Sequence, residues 1–426
     1  MPKYTIPYGQ SHTEFNLDDR NPADVIIPPV TTSLSKAEID QKLDWALSNP
    51  LGGITLESYK EAKTVAIAVN DKTRPVPYGV MLPPLLERLG KTGIQTNAIT
   101  FFIATGTHTP MSKEEFSRVL PKMVLDNYKV VTHDCDQSQN LIHLGTTSRG
   151  TDVSVNKAFY QSDLKIVTGN IEPHHFAGFS GGSKTSAIGL GARSSINANH
   201  TMLVDPNSII GMYEKNPLRQ DIEEMGDFIA TDFALNFILS GEHEVADVLF
   251  GKPRRVMQEG IKIARQICQT RVKGQYDLVI ASAGGFPKDI NLYQAQKAMT
   301  HASLMTKKGG IIILAAACPE GPGNAAYEAY VQGMASHEEI LQKFIRDGFK
   351  IGPHKSYQIA RIVLDYRFML VSTMDQARVR KLLLDPDVNL QSAVDRALKV
   401  LPPNPKIAVL PYATSTIPIS DQGNTI

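Results

Sequence analysis

The sequence predicts an α/β protein of two domains, each with a largely parallel sheet flanked by helices. Its 426 residues are enough for two or three domains of ordinary size. Continuous apolar runs rich in β-branched residues recur along the chain, and stretches with helical periodicity alternate with them. This alternation is typical of parallel strands that are covered by helices on both faces.

Seven apolar runs predict the main strands. They are 64–69, 98–103, 164–167 and 233–239 in the first domain, and 278–281, 311–314 and 368–371 in the second. Helical patterns occupy 293–304, 338–346 and 357–364, and a long helical stretch at 253–273 is expected to bridge the domains.

The predicted domain boundaries follow from these elements. The N-terminal domain is placed at 1–268 and is expected to hold a cofactor. The C-terminal domain is placed at 274–400 and is expected to close over the substrate, with the active site in the interdomain cleft. The run 406–411 predicts one more strand, and 404–426 is expected to return to the N-terminal domain because chain termini often lie close together.

Composition argues against several classes of function. The formal net charge is +1, so neither nucleic acid nor a membrane surface is expected as a partner. No apolar run approaches the roughly 20 residues of a bilayer span, and the N-terminus lacks the apolar core of a secretory signal. Cys135, Cys268 and Cys318 are too far apart for a disulfide framework or a zinc pattern. We therefore expect a cytoplasmic protein.

Candidate site residues follow the predicted strands, because open α/β sheets bind ligands at the carboxyl ends of their strands. Asp71 and Arg74 follow the first strand, and an arginine beside an aspartate suits a carboxylate or phosphate. A surface ion pair in a turn explains these two residues equally well. His108 follows the second strand and is placed for acid–base chemistry. A loop that leads into a helix, with an incidental histidine, is the alternative for 104–110.

The richest loop is 172–185, after the third strand. Its segment Ser180-Gly181-Gly182 can present backbone N–H groups to a phosphate, and Lys184 follows. The segment nearly matches a P-loop, but Ser183 replaces the last glycine. His174 and His175 do not have metal-ligand spacing by themselves, because adjacent residues of a regular element point apart.

Further candidates lie later in the chain. His200 stands at a predicted helix end, where a capping or core histidine is the alternative. In the second domain, Gln294 and Lys297 are three residues apart and share one helix face that could contact an acidic ligand. A solvated lysine on an amphipathic helix explains Lys297 equally well.

Together these loops resemble the nickel-pincer-nucleotide-dependent lactate racemases, over essentially the whole chain. The motifs that carry the resemblance are 71–77, 104–108, 174–184, 199–200 and 293–297. The third motif is long, unusual and highly specific. The resemblance implies a racemase or epimerase that inverts a small 2-hydroxy acid, with lactate as the first choice.

The resemblance also implies the cofactor and the site residues. The cofactor is a pyridinium-derived mononucleotide whose sulfur substituents and ring carbon grip nickel, and other proteins are expected to synthesise it. Lys184 is implied as its covalent tether and His200 as the nickel ligand. Asp71, Ser180, Gly181 and Gly182 are implied around the cofactor, with Asp71 acting through the cofactor or through Arg74. His108 and His174 are implied as the acid–base pair, and Arg74, Gln294, Lys297 and His354 as substrate-binding residues.

Physical chemistry supports these roles. The carboxylate of a 2-hydroxy acid disfavours a carbanion at C2, whereas loss of hydride leaves a neutral ketone. A base must then take the hydroxyl proton, and an imidazole titrates in the right range. Because each enantiomer needs a base, two histidines are expected.

Three positions depart from the family pattern. Ser183 stands where some relatives have arginine, and Lys72 stands where some have histidine. His354 appears in place of a tryptophan that closes the substrate pocket, and the lone tryptophan, Trp45, is far away in sequence. Malate or a sugar acid is therefore an alternative substrate.

Two other classes of function stay open at this point. One is a P-loop-like nucleotide hydrolase or kinase, and the other is a binding protein for a phosphorylated small molecule. Neither of these functions requires His108 or His200.

Overall fold

The computed structural model describes residues 2–74, 76–240 and 244–420. It divides into two compact units. The first unit comprises residues 31–267, and the second comprises residues 1–30 together with 268–426.

The elements alternate along the chain as predicted for an α/β protein. The strands are β1 Lys3–Tyr8, β2 Ser11–Asn16, β3 Ala23–Val25, β4 Val65–Asn70, β5 Ile99–Ala104, β6 Lys129–Thr132, β7 Leu141–Thr146, β8 Asp152–Asn156, β9 Leu164–Asn170, β10 Pro173–His174, β11 Gly178–Phe179, β12 Phe233–Leu239, β13 Val245–Gly251, β14 Gln269–Val272, β15 Tyr276–Ser282, β16 Thr306–Ala315, β17 Arg367–Val371, β18 Asp385–Asp387, β19 Ile407–Leu410 and β20 Ile417–Ser420. The α-helices are α1 Lys36–Ser48, α2 Tyr78–Lys91, α3 Lys122–Asn127, α4 Lys157–Tyr160, α5 Lys184–Ala187, α6 Arg193–Thr201, α7 Pro217–Ile229, α8 Pro253–Cys268, α9 Leu292–Ser303, α10 Ala325–Val331, α11 His337–Asp347, α12 Pro353–Asp365, α13 Gln376–Lys381 and α14 Leu390–Leu398.

The first unit is built on a six-stranded sheet with the order β13-β12-β9-β4-β5-β6. Its pairs are parallel except β12–β13, which is an antiparallel edge pair. The central strand β4 is almost entirely buried, as is typical of an apolar strand in a parallel sheet that is covered on both faces. The short hairpins β7–β8 and β10–β11 add to this unit.

The second unit has its own six-stranded sheet, and all its pairs are parallel, in the order β18-β17-β16-β15-β19-β3. Its strands bury alternate residues in two different cores. Val279 and Ala281 pack with α9, whereas Leu278 and Ile280 pack with α14 and with Phe15 of β2. The predicted architecture of parallel-rich sheets flanked by helices is confirmed.

Two predicted boundaries are wrong. The tail does not return to the first unit, because β19 inserts between β15 and β3 in the second unit's sheet. Residues 1–30 also belong to the second unit, since they supply β1, β2 and the edge strand β3. The last six residues of the segment 404–426 lie outside the described residues.

The predicted bridging helix is shorter than expected. α8 ends at Cys268, and the following residues form β14, which pairs with β20. Among the described residues, no helix combines the length and the apolar character that a membrane crossing needs.

Candidate active site

Three neighbouring strands of the first unit bring the predicted loops together. β4 lies between β9 and β5, and all three strands run in the same direction. Asp71 therefore leaves the sheet beside the loop of His108 on one side and the segment 171–184 on the other. The amide of Gly106 donates to the carbonyl of Gly189 at 2.9 Å, which ties the His108 loop to the chain just after Lys184.

His108 is paired with Asp71. The Nδ1 atom of His108 lies 2.7 Å from Oδ2 of Asp71, and Thr73 donates its amide and hydroxyl to Oδ1 of the same carboxylate. Burial raises the pKa of Asp71, but the hydrogen bonds from His108 and Thr73 outweigh this effect and lower it below 3.8. An ionised Asp71 accepts the Nδ1 proton, which leaves a lone pair on Nε2 of the half-exposed His108.

Arg74 and Asp71 both line a cavity in the first unit. The cavity has a volume of about 330 Å³. It is lined by Asp71, Lys72, Arg74, Val76, Pro77, Tyr78, Arg118, Val119 and Leu239. Arg74 approaches Glu172 at 3.6 Å, so the loop after β4 also contacts the loop after β9. The cavity is suited to a small anion, because two of the arginines that line it, Arg74 and Arg118, are partly exposed.

Lys184 begins α5 and lies within the electrostatic reach of these groups. Burial, together with the charges of Arg74 and Arg219, lowers the pKa of Lys184 from 10.5 to about 7, although the charges of Glu172 and Asp71 act in the opposite direction. A large fraction of the amine is therefore neutral near pH 7. A neutral amine is the nucleophilic form, as a covalent attachment point requires.

The hairpin β10–β11 carries His174. The Nδ1 atom of His174 accepts the amide of Ala177 at 3.2 Å, so a neutral imidazole holds its proton on Nε2. The rings of His174 and His175 stack with centroids 4.6 Å apart. The expectation that these adjacent side chains point apart is wrong here, because the hairpin turns immediately after His174.

His200, near the end of α6, lies close to His174 because both rings contact Phe176. The Phe176 ring lies 4.7 Å from that of His174 and 5.1 Å from that of His200, between centroids. The amide nitrogen of Asn199 donates to Leu218 and Asp221, so its carbonyl faces Nδ1 of His200 at 3.0 Å. This contact places the proton on Nδ1 and the lone pair on Nε2, and such a lone pair is able to bind a metal ion.

The Ser-Gly segment before Lys184 is engaged mainly with the protein. The Ser180 hydroxyl donates to the Asn170 carbonyl and accepts the Glu172 amide, and the Gly182 amide donates to Asn236. Gly182 has φ +57°, and an added Cβ would lie 2.5 Å from Met257. Packing and turn geometry thus require this glycine, and its amide is not available to a phosphate.

These contacts weaken the P-loop alternative. The helix after Lys184 has only four residues, and the Thr185 amide donates to the Gly182 carbonyl. A P-loop cradles phosphates with a run of amides pointing outward at the start of a helix. That arrangement is not found in this segment.

The second unit contains the other predicted residues. On α9, Lys297 donates to Gln294 at 3.0 Å. His354 is buried between the rings of Phe349 and Tyr293, and burial, reinforced by the charge of Lys355, lowers its pKa to about 3. His354 is therefore neutral at physiological pH.

Comparisons with known proteins complete this description. The model of the lactate racemase N-terminal domain matches residues 8–211, and that of the lactate racemase C-terminal domain matches residues 272–417. The chain belongs to the lactate racemase family.

Individual relatives of this family match nearly end to end. The lactate racemase of Thermoanaerobacterium thermosaccharolyticum is 29% identical over 424 residues, covering 98% of this chain and 99% of the relative. That of Lactiplantibacillus plantarum is 27% identical over 419 residues, with 97% and 98% covered.

Solved structures agree with the lactate racemase fold. The lactate racemase apoprotein from T. thermosaccharolyticum superposes with a TM-score of 0.89 at 28% identity, covering 98% of this chain and 100% of that one. A Thermotoga maritima protein, 16% identical over 92% of this chain and 100% of its own, has a TM-score of 0.63 and shares the fold.

Within this lactate racemase fold, the first unit contains Asp71, Arg74, His108, His174, Ser180, Gly181, Gly182, Lys184 and His200. The second unit contains Gln294, Lys297 and His354. The interdomain cleft stays a prediction. Sequence reasoning missed the partnership of Asp71 with His108, and it missed Arg219. No spacing rule could have found Arg219, because it acts from within α7 on a loop 40 residues earlier in the chain.

Proposed function

We propose that this protein is a racemase or epimerase of small 2-hydroxy acids that uses a nickel-pincer nucleotide bound covalently to Lys184. The observation that carries the proposal is the clustering of Lys184, Arg74, Glu172 and the Asp71–His108 pair at one sheet edge, in a chain of the lactate racemase family. An attachment point, an anion-binding group and a base are thus available together.

The residues fit this cofactor. Lys184 offers a partly neutral amine for a thioamide bond, and His200 offers an imidazole whose Nδ1 is held by Asn199. Imidazole is a donor type that suits nickel. When bound, the group supplies acceptance and return of the hydride at C2. Its synthesis needs further proteins, so these are proposed as partners in the cell.

The protein's own groups bind the substrate and move the hydroxyl proton. Arg74 is proposed to hold the carboxylate, because a guanidinium matches its planar geometry, and Gln294 and Lys297 are proposed to bind the remaining polar atoms. His108 presents the lone pair of Nε2, and a neutral His174 presents an N–H. We propose that His108 accepts the hydroxyl proton of one enantiomer as hydride leaves, and that His174, when it carries a second proton as an imidazolium, returns a proton to the oxygen as hydride comes back. The roles reverse for the other enantiomer.

The proposed substrate is a 2-hydroxy acid, with lactate first. A second candidate, malate or a sugar acid, is favoured by the environment of His354. Tyr293 contacts His354 and also lies 5.2 Å from the ammonium of Lys355, which donates to Gln296. This polar and cationic neighbourhood is suited to a substrate with additional oxygen atoms.

The cofactor is tested by mass spectrometry of protein from a host that makes it. We expect an adduct on Lys184 that Lys184→Ala abolishes, and nickel that falls to background in His200→Ala with the fold retained. The same adduct on Lys184→Ala would rule out the tether. Full nickel occupancy in His200→Ala would place the ligand elsewhere.

The substrate is tested separately with a panel of enantiopure 2-hydroxy acids, analysed by chiral chromatography. We expect inversion of at least one member by protein that carries both adduct and nickel. Inversion of none would contradict the substrate class. Inversion of malate or a sugar acid alone would select the second candidate. A cytoplasmic location is also proposed, since Cys135, Cys268 and Cys318 lie too far apart in the sequence for a disulfide framework.

A further inference from the structure

The first turn of α7 binds the backbone of the loop that precedes Lys184. Its N-cap residue Asn216 donates to the Phe176 carbonyl at 2.8 Å. Arg219, fully buried, donates from Nη1 to the Phe179 carbonyl and from Nη2 to the Gly181 carbonyl, both at 3.1 Å. Three backbone carbonyls of the segment 176–181 therefore accept hydrogen bonds from Asn216 and Arg219, which lie in one turn at the start of α7.

The guanidinium is itself held in place. Nη2 of Arg219 also donates to Glu223 one turn further along α7, and the guanidinium lies 5.4 Å from the ring centroid of Tyr213. Burial of a charged side chain is costly unless the charge is paired and hydrogen-bonded. The buried guanidinium of Arg219 thus links the loop before Lys184 to Glu223 of α7.

We propose that Arg219 is a positioning residue for cofactor attachment, whose fork across Phe179 and Gly181 fixes the turn that presents the amine of Lys184. The proposal rests on the proposed role of Lys184 as the tether. It goes further, because it assigns the geometry of attachment to a residue outside the loop.

The position of Arg219 also affects the reactivity of the Lys184 amine. After burial and Arg74, the charge of Arg219 is the third cause that lowers the pKa of Lys184. A loosened loop would expose the amine to water and return its pKa toward 10.5. The position of the loop and the reactivity of Lys184 should therefore change together.

The test compares Arg219→Lys with the wild type, both without cofactor. Lysine keeps the charge, but one nitrogen cannot replace a planar fork with two separate donor nitrogens. Hydrogen exchange in residues 178–185 should accelerate roughly tenfold or more, as expected when charged hydrogen bonds that close a segment are lost. Trace acetylation with acetic anhydride, in which the amine displaces acetate and loses a proton to solvent, should titrate about one pH unit higher at Lys184 than in the wild type.

The matched control is Arg265→Lys. Arg265 is a residue of α8, and its guanidinium carbon lies 5.8 Å from the ring centroid of Phe179 in β11. Its hydrogen bonds, however, go to Glu214 and Gly211. Exchange and acetylation at 178–185 should stay at wild-type values in this variant. If Arg219→Lys also shows wild-type exchange, or faster exchange with unchanged titration of Lys184, the positioning role is wrong.

The adduct provides the last readout. In the cofactor-producing host, Arg219→Lys should carry at least about tenfold less adduct on Lys184 than the wild type, because a misplaced reacting group loses effective concentration. A wild-type protein without any adduct would refute the tether and leave the exchange and acetylation results to decide the role of Arg219. Full loading of Arg219→Lys would overturn the proposal.

Discussion

At the scale of single residues, the Asp71–His108 pair is the feature with the clearest chemical consequence. Asn in place of Asp71 has nearly the same shape, but its amide no longer requires the Nδ1–H tautomer of His108. We expect Asp71→Asn to lower turnover of the loaded enzyme by about 10²–10⁴-fold, the usual contribution of a general base. Turnover is measured in both directions, because a racemase cannot lose only one.

A control separates this effect from a loss of structure. Thr73→Val removes a hydroxyl bond to Asp71 and leaves the contact with His108, so a smaller loss of turnover is expected. Near-normal turnover in Asp71→Asn, with the adduct present, would mean that His108 does not need Asp71.

Lys184 makes the stability of the cofactor-free protein depend on pH. Its pKa is about 7 in the folded chain and 10.5 when unfolded, so the unfolded state binds more protons between these values. The free energy of unfolding should therefore rise with pH from about 7 to 10.5, and this gain is lost again as pH falls from 10.5 to 7. Urea unfolding of the wild type and Lys184→Met, compared at pH 6.5 and 9.5, measures the difference. Identical pH dependence of the two proteins would contradict it.

At the scale of elements, α7 is capped in a way that links helix stability to the site. Asn216 accepts the amide of Arg219 and donates to Phe176, so Asn216→Ala removes a cap and leaves a buried carbonyl without its donor. We expect a loss of about 3 kcal/mol in the first unit, from roughly 1–2 for the cap and about 1–2 for the carbonyl. Hydrogen exchange of the slowest β4 and β9 amides measures it.

Ser35→Ala provides the comparison. Ser35 caps α1 in the same unit through an exposed capping box, so its loss should cost only about 1 kcal/mol. Equal losses in the two variants would show that the bond to Phe176 contributes nothing.

The sequence predicts some of these elements better than others, for physical reasons. β4 and β15 are continuous apolar runs, and a parallel sheet requires such runs. β1 alternates polar and apolar residues, whereas β2 is polar apart from Phe15. The two strands form only a two-stranded ribbon, so no apolar run marks them. β14 interrupts a pattern that continues the helical period of α8, because its pairing with the distant β20 overrides local propensity.

The candidate site divides in the same way. Residues directly after strands, such as Asp71 and His108, could be found because the topology of a parallel sheet brings strand ends together. Contacts that depend on side-chain direction could not be found from the sequence. These include the bond of Asp71 to His108 and the reach of Arg219 from α7 to Gly181.

At the scale of the whole molecule, the N-terminal thirty residues complete the second unit. Ile6, Phe15 and Leu17 lie in its core, and β3 forms an edge of its sheet. The chain thus begins in the second unit, forms the first unit with residues 31–267, and then returns to the second unit. The residues proposed to hold the cofactor and to move the hydroxyl proton lie in the first unit, and Gln294 and Lys297 lie in the second, so turnover is expected to require the intact chain.

The proposed inversion of a 2-hydroxy acid proceeds by removal and return of the hydrogen at C2 as hydride. It is tested most directly with the substrate identified by the panel, deuterated at C2 and incubated with loaded enzyme in ordinary water. The inverted product is isolated by chiral chromatography, and its deuterium content is measured by mass spectrometry. Deuterium is expected to stay at C2 of the inverted product, because a stored hydride does not exchange with water. Replacement of the deuterium by hydrogen from water would rule out hydride transfer, since that is the result expected for proton abstraction at C2.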